Sequence, residues 1–186
     1  MTNNASKKTL ILMVIVFVLP VVLAKLALDH DWFNRGVTNK GNLLSPTLNV
    51  SSLLVGSEGA GNEPKWRLMY VLPSTCDKTC ENALFSINQV WLALGKESDR
   101  AEPLVLVTPT SDKQALSALD AYPNVRTQEV DGEATNMLAS QSVYIVDTLN
   151  NAMLFYQVDS DREVAVLESR NMLADIKKLL KLSRIG

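Results

Sequence analysis

The chain is poor in the residues that most enzymes and metal proteins depend on. Among 186 residues there are two cysteines and a single histidine. Three such ligands cannot build a four-coordinate structural zinc site from Cys and His alone. A hydrolase of the Ser-His-Asp or Cys-His type would have to use His30, because there is no other histidine. An excess of positive charge is also missing: 18 Lys+Arg stand against 20 Asp+Glu, a formal charge of −2. A nucleic-acid binder would carry a basic footprint, so no nucleic-acid partner is expected.

One long apolar run is present. Residues Thr9 to Leu28, TLILMVIVFVLPVVLAKLAL, contain one charge, Lys25, near the far end. About 20 residues at 1.5 Å rise cross the ~30 Å hydrocarbon layer of a bilayer. Pro20 inside the run is tolerated as a kink in a membrane helix. A cleaved signal peptide would have a shorter apolar region and a small-x-small site. The residues that follow, Leu26-Ala27-Leu28-Asp29-His30, lack such a site. The run therefore reads as an uncleaved signal anchor. Lys7 and Lys8 precede it with no acid beside them, and Asp29, Asp31 and Arg35 follow. The positive-inside rule keeps residues 1–8 cytoplasmic and sends the remainder outward. In a bacterium this is a single-pass inner-membrane protein with a periplasmic C-terminal domain. Residues 1–28 remove three lysines and no acid, so the exported part carries 15 Lys+Arg against 20 Asp+Glu, net −5.

Residues 29–64 are rich in Asn, Ser and Gly, with Gly56, Gly59 and Gly61 close together, the composition of a tether. Within it, Leu43 to Val55 carries enough apolar residues to dock on the next domain as a short strand. His30, directly after the membrane span, reads as an interfacial polar residue.

A regular pattern begins at Lys65 and defines a domain over 65–186. Trp66 to Leu72 reads as a buried strand. Cys76 to Leu94 reads as a helix, with Ala83, Leu84, Ile87, Val90, Trp91 and Leu94 at three- and four-residue spacing. Leu104 to Thr108 is a second strand. Asp112 to Leu119 is a short helix with Ser111 as its N-cap. Val125 to Val130 is a short edge strand. Val143 to Asp147 and Ala152 to Gln157 flank a turn and form an antiparallel hairpin. Glu163 to Leu182 closes the chain as a helix whose apolar face uses Leu167, Leu173, Ile176, Leu179 and Leu180. The initial alternation implies a right-handed crossover and a parallel strand pair, and the hairpin adds antiparallel strands. The expected fold is α/β: a thioredoxin-like mixed sheet flanked by helices, preceded by one transmembrane helix. Trp66, Tyr70 and Trp91 are assigned to its core.

Cys76 and Cys80 fall where the first strand ends and the first long helix begins. A helix N-terminus favours thiolate over thiol. At i, i+4 spacing both sulfurs would lie on one face of the first turn, with Cα atoms ~6 Å apart, within disulfide range. Three uses remain open. A structural disulfide suits an exported domain, although a bond closing so short a loop gains little from chain entropy. A thiol–disulfide exchange pair would use Cys76, nearer the helix start, as attacking thiolate and Cys80 as the resolving thiol. Two thiolates can also clamp a soft ion such as Cu(I). Asp77 and Glu81 read as solvated acids at the helix start.

The segment from Lys65-Trp66 through Cys80, then Tyr144-Ile145-Val146-Asp147, resembles the SCO/SenC family: an anchor, a Lys-Trp-like strand entry, a Cys-x-x-x-Cys motif and a Tyr-Leu-Ile-Asp-like strand. The resemblance implies a membrane-anchored thioredoxin fold that assists cytochrome c oxidase assembly, with copper held by the two cysteines and a later histidine. It also implies an oxidase subunit or a copper chaperone as partner. This chain departs from the pattern. Asp77 and Glu81 stand where that family usually has proline, and the histidine falls at about Ala139. No histidine occurs in residues 31–186, so a Cys2His site cannot form from this domain alone. Met137, a soft donor close to the vacated place, reads mainly as a core or loop residue. Ordinary thioredoxins place a cis-proline before the hairpin; here Ser140-Gln141-Ser142 stands there. The resemblance thus implies dithiol chemistry or weak Cu(I) handling at Cys76 and Cys80. The alternative is a non-enzymatic assembly scaffold with a permanent Cys76–Cys80 disulfide.

Overall fold

The computed structural model describes residues 3–29, 39–54 and 64–183. It divides into two units, residues 1–38 and 39–186. In the first, helix α1 runs Asn3–Asp29 with Pro20 inside it. Its stretch Lys7–Asp29 is long and apolar enough to cross a membrane. His30 lies outside the described residues.

The second unit is a six-stranded mixed sheet. Its strands are β1 (Asn42–Asn49), β2 (Trp66–Val71), β3 (Ala101–Val107), β4 (Arg126–Glu129), β5 (Ser142–Val146) and β6 (Asn151–Gln157), in the spatial order β1-β6-β5-β2-β3-β4. β2, β3 and β4 are parallel, whereas β5, β6 and β1 join antiparallel. The docking strand expected within Leu43 to Val55 is β1, paired with β6 at the edge. β2 is central and buried on both faces, which is why WRLMYV is almost continuously apolar. Its period of two sends Trp66, Leu68 and Tyr70 to one face and Met69 and Val71 to the other.

The helices are α2 (Lys78–Leu94), α3 (Lys113–Ala118) and α4 (Arg162–Leu182). They pack on the Tyr70 face: Ala83, Leu84, Ile87 and Val90 from α2, Ala115 from α3, and Met172, Ile176 and Leu180 from α4 share one core with the sheet. Short 3₁₀ turns flank the opposite face. There Val50, Leu53, Leu54 and Leu138 cover Met69, Leu104, Leu106, Tyr144 and Val146. Trp91 is partly buried and donates its indole N–H to the carbonyls of Ser98 and Ala101 at 3.0 and 2.8 Å.

Three local expectations are corrected. α2 begins at Lys78, not Cys76, because Asp77 in extended conformation caps it by accepting the Cys80 N–H. The cap of α3 is Asp112, which accepts the N–H groups of Gln114 and Ala115; Ser111 is engaged elsewhere. On α4 the buried face is Ala165, Ser169, Met172, Ile176 and Leu180, while Leu167 is 55% exposed. The small residues set that choice. Ser169 Oγ donates to Ser86 Oγ of α2 at 2.8 Å, a close approach that a leucine would prevent.

Candidate functional site

Cys76 and Cys80 are joined in a disulfide, with Cα atoms 5.1 Å apart. The two sulfurs do not share the first helical turn as the spacing suggested. Cys76 precedes the Asp77 cap and Cys80 lies inside the helix. The cap position separates their environments: Cys80 is fully buried, and Cys76 is only partly so. Cys76 lines an open groove of about 450 Å³ with Glu81, Leu84, Asp112, Tyr122 and Arg162.

The loop between β2 and α2 is held from the neighbouring loop after β3. Ser111 Oγ donates to the Leu72 carbonyl at 2.6 Å, and Asp112 N–H donates to the Pro73 carbonyl at 2.9 Å. Cys76 N–H donates to Asp112 Oδ2 at 2.9 Å, while Asp112 Oδ1 caps α3. One carboxylate thus fixes both the Cys76 loop and the helix behind it. These bonds hold the Asp112 carboxyl below its ordinary range, the Cys76 N–H contributing most and Ala115 next. A depressed folded pKa stabilises the fold above the unfolded value, about 3.9, and the contribution is lost as pH falls through the folded one. The stability gap between wild type and Asp112→Asn should therefore narrow below about pH 4, measured by urea unfolding at a series of pH values. A gap that does not change with pH would remove this role for the carboxylate.

At the other side, Gln141 lies in the Ser140-Gln141-Ser142 segment just before the hairpin. It adopts φ of 58°, and its side-chain amide lies 3.5 Å from Asp77 Oδ2. Asp77 is therefore more than a solvated acid: it caps α2 through the Cys80 N–H. Glu81 remains exposed in the first turn. Ser111, Asp112 and Gln141 were not legible as site residues. Spacing marks Ser111 as a helix cap, whereas the parallel β2–β3 pairing brings its loop against Leu72.

Among the described residues no three His, Cys, Asp or Glu side chains come together as a metal site. Met137 ends a 3₁₀ turn and is 44% exposed. At Ala139, the expected histidine position, the backbone N–H donates to the Tyr144 hydroxyl at 2.6 Å. The residues present do not fit a Cys2His copper site.

Sheet order, helix placement and a disulfide at the head of α2 define a thioredoxin-like domain. The chain belongs to the family described as transmembrane-like, thioredoxin-like, C-terminal domain, whose model matches residues 66–183. The solved apo Sco1 protein from Thermus thermophilus has the same fold: TM-score 0.54 at 14% identity, covering 78% of this chain and 99% of that one. Two further structures score lower. Copper-bound ScoI of Bradyrhizobium japonicum gives 0.42 at 14% identity over 58% of this chain and 85% of its own. A secreted Mycobacterium tuberculosis disulfide oxidoreductase gives 0.43 at 14% identity over 60% and 83%. No curated protein matches the sequence.

Proposed function

We propose that this chain is a membrane-anchored, periplasmic SCO-like protein that assists cytochrome oxidase assembly by thiol–disulfide exchange at Cys76 and Cys80. The observation that carries the reading is the disulfide itself, between an accessible Cys76 on a groove and a buried Cys80 inside the helix. It closes a separation of only four residues, too short to constrain the unfolded chain much. An exchange role accounts for such a bond better than a structural one. Anchoring rests on the length and composition of α1. The oxidase role rests on the motif resemblance. Copper enters only as a weakly held Cu(I) cargo of the reduced pair, because no third ligand is assembled among the described residues.

In the reducing direction, the Cys76 thiolate attacks a partner disulfide. One partner sulfur leaves as thiolate and a mixed disulfide forms. Cys80 thiolate then attacks Cys76 Sγ, which closes the intramolecular bond and releases the partner as a dithiol. The α2 N-terminus favours negative sulfur at both stages.

The test is a redox titration of the purified protein against dithiothreitol and glutathione. Exchange chemistry predicts a reduction potential above about −300 mV. A lower potential, with no reaction toward thiols, would establish the scaffold alternative with a permanent disulfide. Reduced protein should take up Cu(I) weakly, and a tight Cu(II) site would contradict the ligand count.

A further inference from the structure

Tyr70 is assigned to the core by sequence, and it is 1% exposed. Its hydroxyl nevertheless has no hydrogen-bond partner among the described residues. A buried donor left unpaired costs about 1–3 kcal/mol, and native structures keep few such groups. Its location gives the orphan a use. Tyr70 stands near the end of β2, six residues before Cys76, and faces α2 in the same buried cluster as Cys80. Cys80 itself is fixed at the head of α2, where its N–H donates to Asp77 Oδ1 at 3.0 Å.

Exchange creates a need that the oxidised state lacks. When a partner thiolate attacks Cys76 Sγ, the Cys76–Cys80 bond breaks and its electron pair leaves on Cys80 Sγ. Cys80 is fully buried, so water does not stabilise the new charge. We infer that the Tyr70 hydroxyl is the hydrogen-bond donor that receives the Cys80 sulfur in the reduced state. In the reverse direction it holds Cys80 as thiolate for attack on the mixed disulfide. Burial first, then the Asp77 charge, raise the phenol pKa, so the donor proton is retained throughout the working pH range. Tyr70 is a positioning residue, and the inference rests on the exchange reading.

The test is Tyr70→Phe in the full chain in detergent, equilibrated with dithiothreitol redox buffers. Loss of a donor made only in the reduced state should move the equilibrium about three- to tenfold toward the disulfide. The oxidised form should unfold at an equal or higher temperature, because an unpaired buried hydroxyl has gone. A smaller shift, or one toward the dithiol, overturns the inference. NMR of ring-labelled tyrosine in the unsubstituted protein decides independently of that variant's folding. On reduction the Tyr70 Cζ resonance should move while those of Tyr144 and Tyr156, away from the Cys76 groove, stay; a stationary Tyr70 signal overturns it. If wild type itself does not exchange with dithiothreitol, the parent reading fails and this one with it.

Discussion

Cys76→Ser should abolish disulfide exchange, whereas Cys80→Ser should trap the partner as a stable mixed disulfide. The asymmetry follows from the position of the Asp77 cap. It leaves Cys76 before the helix and on the groove, and sets Cys80 inside the helix with no exposed surface. An incoming sulfur must line up with the bond it breaks, and only the Cys76 end offers a solvent approach. Without Cys76 there is no accessible thiol, because Cys80 is buried. Without Cys80 the first step proceeds and the second has no nucleophile. Mass spectrometry of the protein after incubation with a disulfide-bonded peptide reads both outcomes. Equal trapping by the two variants would refute the assignment of roles. The background reaction of Cys76→Ser should be indistinguishable from buffer.

Asp175→Ala should cost about 4 kcal/mol of stability. Asp175 sits on α4 and is 2% exposed. Its Oδ2 accepts the Lys40 N–H at 2.7 Å, the Gly41 N–H at 2.9 Å and the Tyr156 hydroxyl at 2.7 Å. This carboxylate pins the chain entering β1 to the helix that closes the domain. Gly41 has to be glycine here, because a Cβ would overlap the Tyr156 ring. Burial, then the bond to Asp175 and its charge, push the Tyr156 pKa well up, so the phenol stays a donor. Removing the acceptor strands two buried donors, the Gly41 N–H and the Tyr156 O–H, at about 1–3 kcal/mol each. That is a large share of the ~5–15 kcal/mol holding an ordinary domain together. Asp175→Asn keeps one acceptor oxygen and should fall between. Urea unfolding of the full chain measures all three, and a loss below about 1 kcal/mol for Asp175→Ala would show that the acceptor is dispensable.

The same residue marks a limit of sequence reading. Helical periodicity puts leucines on the buried face of α4, so Leu167 qualifies and Asp175 does not. The structure inverts both, with Leu167 55% exposed and Asp175 buried. Periodicity counts apolar side chains, and it cannot register a carboxylate whose burial is compensated by three donors from elsewhere. Periodicity does not mark Ser169 either, since its value lies in contact with Ser86. Strands fared better. β2, β5 and β6 are short apolar runs bounded by polar turns, and their positions follow from that pattern alone.

The scarcity of cysteine and histidine limited the candidate chemistry before any fold was known. Local composition also determined the apolar N-terminal segment, the strand–helix order and the placement of the cysteine pair at a strand-to-helix junction. These depend on neighbours in sequence, through hydropathy, periodicity and capping. Tertiary structure alone decided which cysteine sulfur is accessible, that Asp112 holds the Cys76 loop, that Gln141 faces Asp77 and that the Tyr70 hydroxyl has no partner among the described residues. Each of these joins residues from separate elements, and their meeting is set by sheet pairing and helix packing rather than by spacing along the chain.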